Sequence, residues 1–306
     1  MPEEKKVKNH HDHGPVKEGN LMLATLLNLV ITLVELAGGI LANSLALLSD
    51  ALHNLSDTFA TFIAYVATRV SRRKATEQNT FGYKRVEILA AMLNAIILVI
   101  ICIFLFKEAV ERIRHPEPIK PLVVIIVAMV GLGANLLAVA LLRNDSRKSI
   151  NVKAAYVHLI GDSLSSVVVI MAAVAIQLFD FYWIDPVVTI AIGLYLIREA
   201  YVILKEAVSI LMQSTPHNLD LVRLQSKIEA VPGVCSMHHI HEWRMNDHDI
   251  HMEPHIEIAE DRKISELEAV RKDIEKILRS RYHIHHITLQ FEYKPDHSKS
   301  LISKGE

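Results

Sequence analysis

The chain has 306 residues, of which 51% are hydrophobic and 22% charged, with a mean hydropathy of +0.27. A soluble globular protein of this length is less apolar, so the composition predicts a membrane protein. The formal net charge of −1 gives no basic excess and therefore argues against nucleic acid as a partner.

The N-terminal segment begins "MPEEKKVKNHHDHG". It lacks the apolar core and small-residue cleavage site of a secretory signal, so we expect residues 1–19 to form a flexible cytosolic tail. His10, His11 and His13 in this tail either collect metal weakly or are incidental in a disordered segment.

Six apolar segments follow between residues 20 and 211, each close to the roughly 20 residues that span a bilayer as a helix. The loops "SRRKATEQNTFGYKR" and "RNDSRKSINVK" are rich in Lys and Arg, which places them, with both termini, in the cytosol. The segments cover approximately residues 21–42, 45–67, 86–110, 122–142, 154–179 and 186–211.

The pattern changes after Met212, and residues 212–294 predict a small soluble domain. Two amphipathic helical stretches and three strand-like stretches occur in the order αββαβ. The expected fold class is therefore an all-α membrane domain of six transmembrane helices followed by a small cytosolic α+β domain. Residues 295–306 are expected to be a flexible tail.

Two HxxxD pairs interrupt the apolar segments. His53 and Asp57 lie in the second segment, and His158 and Asp162 lie in the fifth. Residues four apart share one face of a helix, and both pairs fall near the middle of antiparallel spans. Ionisable groups inside a membrane are costly and are usually functional, and two imidazoles with two carboxylates suit Zn²⁺. The pattern predicts an ion or proton site.

Other polar residues in these segments have several interpretations. Asp50 could cap its helix, line an exit path, or bond to Asn43 or Ser44. Interhelical hydrogen bonds are the predicted role of four more residues, namely Asn28, Glu35, Asn94 and Asn135.

The ligand types favour a transporter over two other classes of protein. Zinc and protons compete for the same imidazole and carboxylate atoms, so alternating exposure of the site would give antiport. A metalloenzyme would keep an open coordination position, whereas these four residues form a closed set, and no HExxH motif is present. A sensor or scaffold would not need charged residues in two spans.

Four motifs carry a resemblance to a known family: "VELAGGILANSLALLSDALHNLSD", "FGYKRVEILAA", "HLIGDSLSS" and "WIDP". They resemble the zinc-transporting branch of the cation diffusion facilitator family over about residues 20–294. The resemblance implies a bacterial-type Zn²⁺/H⁺ antiporter of the plasma (inner) membrane, a homodimer with a metallochaperone-like cytosolic domain. It also implies that His53, Asp57, His158 and Asp162 are the transport site.

The predicted cytosolic domain is rich in histidine, with 11 of the 17 histidines after Met212. Such enrichment favours metal binding, and we expect three or four of the 11 to be ligands. The resemblance implies His241, His255 and Glu292 as ligands, and the nearby His239 and His283 are further candidates. Gln290 and Glu268 stand where some relatives have histidine, and His238 or His285 could substitute. Zinc bound there is expected to tighten the dimer and favour transport.

Overall fold

The computed structural model describes residues 18–143, 150–216, 219–246, 249–295 and 300–302. The three histidines expected in the N-terminal tail, and most of the expected C-terminal tail, lie outside the described residues.

Six long helices coincide with the six apolar segments. They are α1 (Glu18–Ala42), α2 (Leu45–Ser71), α3 (Val86–Arg114), α4 (Pro121–Leu142), α5 (Ile150–Phe179) and α6 (Ile184–Leu211). Four of them, α3 to α6, are apolar and long enough to cross a membrane by length and composition alone. The described apolar part of α1 is shorter, and α2 carries the aspartates and histidine of its HxxxD segment, which lower its hydropathy.

Each spanning helix buries one narrow face and exposes large apolar side chains elsewhere. On α4 the buried residues recur every three or four positions and include Gly131, Asn135 and Ala138, whereas Leu122, Ile126 and Met129 are exposed. An exposed apolar surface of this extent would aggregate in water but is stable in lipid. The helices therefore form a membrane domain with at least four clear apolar spans.

Asp185, in the WIDP motif, explains how α2 begins. Its carboxylate accepts hydrogen bonds from the Ser44 hydroxyl at 2.5 Å and from the Leu45 backbone N–H at 2.7 Å. These bonds satisfy amide groups that the first turn of a helix leaves without partners. Asn43, with φ of 55°, makes the turn between α1 and α2 and accepts two hydrogen bonds from Arg112. The turn is thus held by α3 and α6.

The polar C-terminal part contains both helices and a mixed sheet. Strand β1 runs antiparallel to β2, and the short strands β3 and β4 both run parallel to β2. The elements are α7 (Leu221–Ile228), β1 (Val234–Arg244), β2 (Ile250–Ile258), α8 (Ile264–Tyr282), β3 (Ile284–Ile287) and β4 (Gln290–Glu292). The predicted αββαβ order is found, with its last strand in two pieces.

The two faces of this sheet differ in chemistry. Met237, Met252 and Ile256 are fully buried in an apolar core with Leu224 and Ile274 of the two helices. Because alternate residues of a strand point to opposite faces, the register that pairs His238 with His255 and Ser236 with Glu257 places these polar residues on the other face. The sheet therefore has one helix-covered face and one rich in histidine and carboxylate.

The chain groups into two compact units. One comprises residues 1–63 and 93–202, and the other comprises 64–92 and 203–306, within the described ranges. In the second unit the loop between α2 and α3 contacts the α/β domain at two places. Lys84 Nζ lies 3.0 Å from Asp249 Oδ2. The rings of Phe81 and His251 meet edge-on, with their centroids 5.4 Å apart. The second unit thus combines parts of α2, α3 and α6 with the residues beyond 211. The boundary between the membrane domain and the cytosolic domain at residues 211–212 stays a prediction.

Candidate metal sites

Helices α2 and α5 bring the two HxxxD pairs together. His53 contacts Asp57 through Nδ1 at 3.4 Å and Asp162 through Nε2 at 3.7 Å. The Nε2 atom of His158 lies 3.3 Å from Asp57 Oδ2 and 3.6 Å from Asp162 Oδ2. Each imidazole therefore faces both carboxylates, and the four side chains close a ring.

The edges of this ring have the length that a tetrahedral zinc site requires. With Zn–N and Zn–O bonds of 2.0–2.1 Å, two ligand atoms of a regular tetrahedron lie about 3.3–3.4 Å apart. The four nitrogen-to-oxygen distances of 3.3 to 3.7 Å are close to this value and longer than ordinary hydrogen bonds. His53 directs its two nitrogens at different carboxylates, and Asp162 turns a different oxygen to each imidazole, so the four contacts do not join a single ligand atom from each residue.

The ring is closed on one side and open on the other. The side chain of Asp162 is 3% exposed, whereas that of His158 is 45% exposed. Among the described residues, the buried atoms His53 Nδ1, Asp57 Oδ2 and Asp162 Oδ2 have only the contacts across the ring and no hydrogen bond. Buried polar atoms that lack hydrogen bonds are costly, and a cation among them would remove that cost. The arrangement has the properties of an accessible cation site.

A cavity of about 810 Å³ reaches the ring from the side of α5 and α6. His53, His158 and Asp162 form part of its wall, and Lys153 and Glu199 line it as well. The Tyr195 hydroxyl, also at the cavity, donates a hydrogen bond of 2.5 Å to Glu199. The cavity that reaches the four side chains thus also carries a carboxylate on its wall.

Asp50 holds α2 against α5. Its carboxylate accepts hydrogen bonds from the hydroxyls of Ser165 and Ser166, and the residue is 1% exposed. Neither Asn43 nor Ser44 bonds to it, since Ser44 donates to Asp185. Of the interpretations that the sequence left open, a structural bond fits, with α5 as the partner. This bond fixes the helix that carries His53 relative to the helix that carries Asp162.

The predicted interhelical bonds are found for two residues. Glu35 accepts from Asn54 at 2.9 Å, and Asn94 donates to Ser56 at 3.5 Å. By contrast, Asn28 Oδ1 and both side-chain amide atoms of Asn135 find no hydrogen-bond partner among the residues that the structure describes. The prediction is therefore wrong for Asn135.

A second cluster lies on the polar face of the cytosolic sheet. One ligand atom from each of His238, His255 and Glu292 lies within 4.8 Å of the others. His238 Nε2 is 3.2 Å from Glu292 Oε2, and His255 Nδ1 is 2.7 Å from Glu292 Oε1. Each of the three comes from a different strand, β1, β2 and β4, so the sheet register sets their separation.

Ser236 orients the His238 ring. The serine hydroxyl donates to Glu257 Oε2 at 3.0 Å and lies 3.2 Å from His238 Nδ1. In the tautomer that carries its hydrogen on Nδ1, His238 donates to the serine oxygen, and its Nε2 lone pair is then available to a metal. Burial lowers the pKa of His255 and favours its neutral form. Neutral imidazoles oriented in this way are suited to bind a metal.

The other predicted cytosolic residues lie outside this group. His239 stacks on His255 with ring centroids 4.5 Å apart, and exposed His241 meets His239 edge-on at 5.1 Å. His283 forms the C-cap of α8 with φ of 55°. The bulge between His238 and His241 shifts the alternation of β1, so spacing in the sequence could not identify His238 as the residue opposite His255.

Glu268 and Gln290 take other roles. Glu268, on α8, pairs with Arg271, which lowers the pKa of that carboxyl to about 2. Gln290 donates to Glu292 Oε1 at 2.9 Å and so orients the carboxylate of the cluster.

Two family models match nearly the whole described chain. Residues 21–212 match the model for the cation efflux transmembrane domain, and residues 216–294 match that for the cation efflux protein, cytoplasmic domain.

Curated relatives agree with these matches along most of their length. The zinc transporter ZitB of Escherichia coli is 39% identical over 267 residues, which are 87% of this chain and 84% of that protein. The metal cation efflux system protein CzcD of Cupriavidus metallidurans is 34% identical over 285 residues, which are 93% of this chain and 90% of the length of CzcD. A Bacillus velezensis protein named a cadmium, cobalt and zinc/H(+)-K(+) antiporter is 33% identical over 301 residues, which are 97% of this chain and 96% of the length of that protein.

Proposed function

The chain belongs to the cation efflux family, and on that premise we propose that it exports Zn²⁺ from the cytosol in exchange for protons through six transmembrane helices. Its relatives are named as metal transporters rather than enzymes, and it is an integral membrane protein that moves metal cations. The relatives' names include zinc, cadmium and cobalt, and the proposal commits to zinc.

The ring of His53, Asp57, His158 and Asp162 is the observation that carries the proposal. Two imidazoles and two carboxylates provide four ligands and two negative charges, which neutralise a divalent ion inside the membrane. Glu199 at the cavity wall attracts the cation, and His158, the most exposed of the four, meets it first.

Proton exchange follows from the same atoms. A proton that binds His158 or Asp57 removes the lone pair and charge that the metal needs, so each cation displaces the other. In the proposed orientation both termini lie in the cytosol of a bacterium, and the site releases zinc across the plasma membrane. Protons entering from outside reset the empty site.

A transport assay in proteoliposomes tests the exchange. With the vesicle lumen more acidic than the medium, zinc uptake by the wild type is expected to be about tenfold faster than without a pH gradient, because protons leaving the lumen clear the site for the next ion. A pH-sensitive dye inside the vesicles reports the proton flux. Zinc uptake that was equally fast with and without the pH gradient, and that moved no protons, would contradict proton antiport.

We further propose that the cytosolic domain binds zinc at His238, His255 and Glu292 and that the protein acts as a homodimer. The support is the spacing of the three ligands, with Ser236 and Gln290 orienting two of them. Zinc there would replace the contacts of His238 and His255 with Glu292 by coordinate bonds that hold three strands together. A domain stiffened in this way tightens the dimer and favours transport.

His238→Ala and His241→Ala form a matched pair that tests this site. Both residues lie on β1, but only His238 belongs to the cluster of three, so its removal is expected to weaken cytosolic zinc binding about 10- to 100-fold. Zinc titration of the full chain carrying Asp57→Asn, which silences the transport site, measures the effect. Equal losses in the two variants would contradict the assignment.

A further inference from the structure

Strand β1 contains a bulge beside the proposed cytosolic zinc site. In the ladder between β1 and β2, His238 pairs with His255 and His241 pairs with Glu253, so two residues of β1 lie opposite Pro254 alone. Proline has no backbone N–H group for the ladder and is tolerated within a sheet where the pairing is already irregular. The two residues of β1 between positions 238 and 241 are therefore out of register with β2.

The chain's own C-terminal segment, residues 300–302, docks on this bulge. The backbone N–H of His239 donates to the Ser300 carbonyl at 3.1 Å, and that of Ile240 donates to the Leu301 carbonyl at 3.0 Å. The Leu301 side chain packs against the apolar core to which Ile240 belongs. Among the described strands β1 pairs with β2 alone, so its other edge is available to this segment. We call residues 300–302 the C-terminal clasp.

The backbone conformation of the bulge needs support from outside β1. His239 has a φ of 47°, in the left-handed region, which a residue with a side chain keeps only where its surroundings stabilise it. The hydrogen bonds to the clasp hold the amide of His239 and the amide of the next residue. The Ser300 hydroxyl in turn donates to the Ile302 carbonyl at 3.0 Å, which keeps the clasp itself compact. The clasp thus stabilises β1 in its bulged form.

The bulge controls two imidazoles of the zinc cluster. It sets His238 opposite His255, with His238 Nε2 3.2 Å from Glu292 Oε2. The ring of His239, at the left-handed position, stacks on the ring of His255 with centroids 4.5 Å apart. Because side chains alternate between the faces of a regular strand, removal of the bulge would turn the residues on one side of it to the opposite face. A change in the clasp would therefore disturb the ligand His238 and the ring that supports His255.

We infer that the C-terminal clasp is a positioning element of the cytosolic zinc site, so that docking of residues 300–302 and binding of zinc stabilise each other. This inference rests on the proposed zinc site of His238, His255 and Glu292 and adds a regulatory segment to it. The clasp lies beyond residues 216–294, which match the family model for the cytoplasmic domain. Since coupling between two sites is reciprocal, the clasp strengthens zinc binding by the same factor by which zinc strengthens docking of the clasp.

Leu301→Ala and Ile302→Ala form a matched pair that tests the clasp. Both residues are apolar and lie in the clasp, but Leu301 packs against the core whereas Ile302 is 58% exposed. In the full chain carrying Asp57→Asn, Leu301→Ala is expected to weaken zinc binding about fivefold, and Ile302→Ala to leave it within about twofold. A chain that ends at residue 299 lacks the clasp and is expected to lose about tenfold or more. Calorimetric titration with ZnCl₂ measures the affinities.

Hydrogen exchange in the zinc-free protein gives a second readout that does not depend on metal. The β1 amides at positions 239 and 240 are expected to exchange about tenfold faster in the chain that ends at residue 299, because they lose their acceptors. Mass spectrometry of peptides from β1 measures the rates. Addition of zinc should slow this exchange in the chain with the clasp and leave it unchanged in His238→Ala.

The outcomes separate the clasp from the zinc site. Equal exchange rates with and without residues 300–306 in the zinc-free protein would overturn the clasp. Zinc affinity that stayed the same in Leu301→Ala and in the shortened chain, but fell in His238→Ala, would also overturn it and would leave the zinc site standing. Zinc affinity that stayed the same in His238→Ala would overturn the proposed zinc site and the inference with it.

Discussion

Asp57→Asn and Asp162→Asn are each expected to lower zinc transport by about 100-fold or more. Each substitution removes one of four ligands and half of the negative charge that neutralises the ion in the membrane. The amide is nearly isosteric with the carboxylate, so the helices keep their packing. Initial rates of zinc uptake by proteoliposomes of purified wild type and variants measure the effect.

Asp180→Asn is the matched control for these two variants. Asp180 lies between α5 and α6, and its side chain accepts a hydrogen bond from the Tyr182 hydroxyl at 3.3 Å. This variant should transport zinc at the wild-type rate. If Asp57→Asn and Asp162→Asn retained more than about a tenth of the flux, the ring would not be the transport site.

His53→Asp is expected to change which metal is carried. Imidazole suits zinc, whereas carboxylate suits harder ions such as Mn²⁺, so replacing a nitrogen ligand by oxygen should raise the ratio of manganese to zinc flux on the order of tenfold. The additional negative charge should also slow the release of a divalent ion. Parallel uptake assays with each metal at several concentrations measure the ratio of kcat/KM values.

His115→Asp provides the control for this change of ligand. His115 follows α3 and its side chain is 78% exposed, so its replacement should leave the metal preference unchanged. An unchanged manganese-to-zinc ratio in His53→Asp would mean that the position-53 side chain does not bind the transported ion.

The parts of the structure that follow local rules were predictable from the sequence. Helix length, apolar runs and the i, i+4 spacing of His53 with Asp57 and of His158 with Asp162 require no knowledge of tertiary contacts. The αββαβ order likewise follows from the alternation and periodicity of short segments. Pairing the two HxxxD motifs needed only the antiparallel direction of α2 and α5.

The parts that depend on register between elements were not predictable. The bulge in β1 decides that His238 faces His255, and bulges depend on pairing with β2. Asp50 could not be matched with Ser165, 115 residues away, from one sequence. The contact of Glu35 with α4 was missed for the same reason, because only the lack of a side chain at Gly131 leaves room for the Glu35 carboxylate.

X-ray absorption at the zinc K-edge tests the central claim most directly. The sample is the full chain with zinc bound and with His238, His255 and Glu292 replaced by alanine, which leaves the membrane site. We predict one zinc with two nitrogen and two oxygen ligands at about 2.0–2.1 Å, and its loss when Asp57 and Asp162 are both replaced by asparagine. Zinc held by sulfur or by water alone, or binding that persisted in that double variant, would contradict the account.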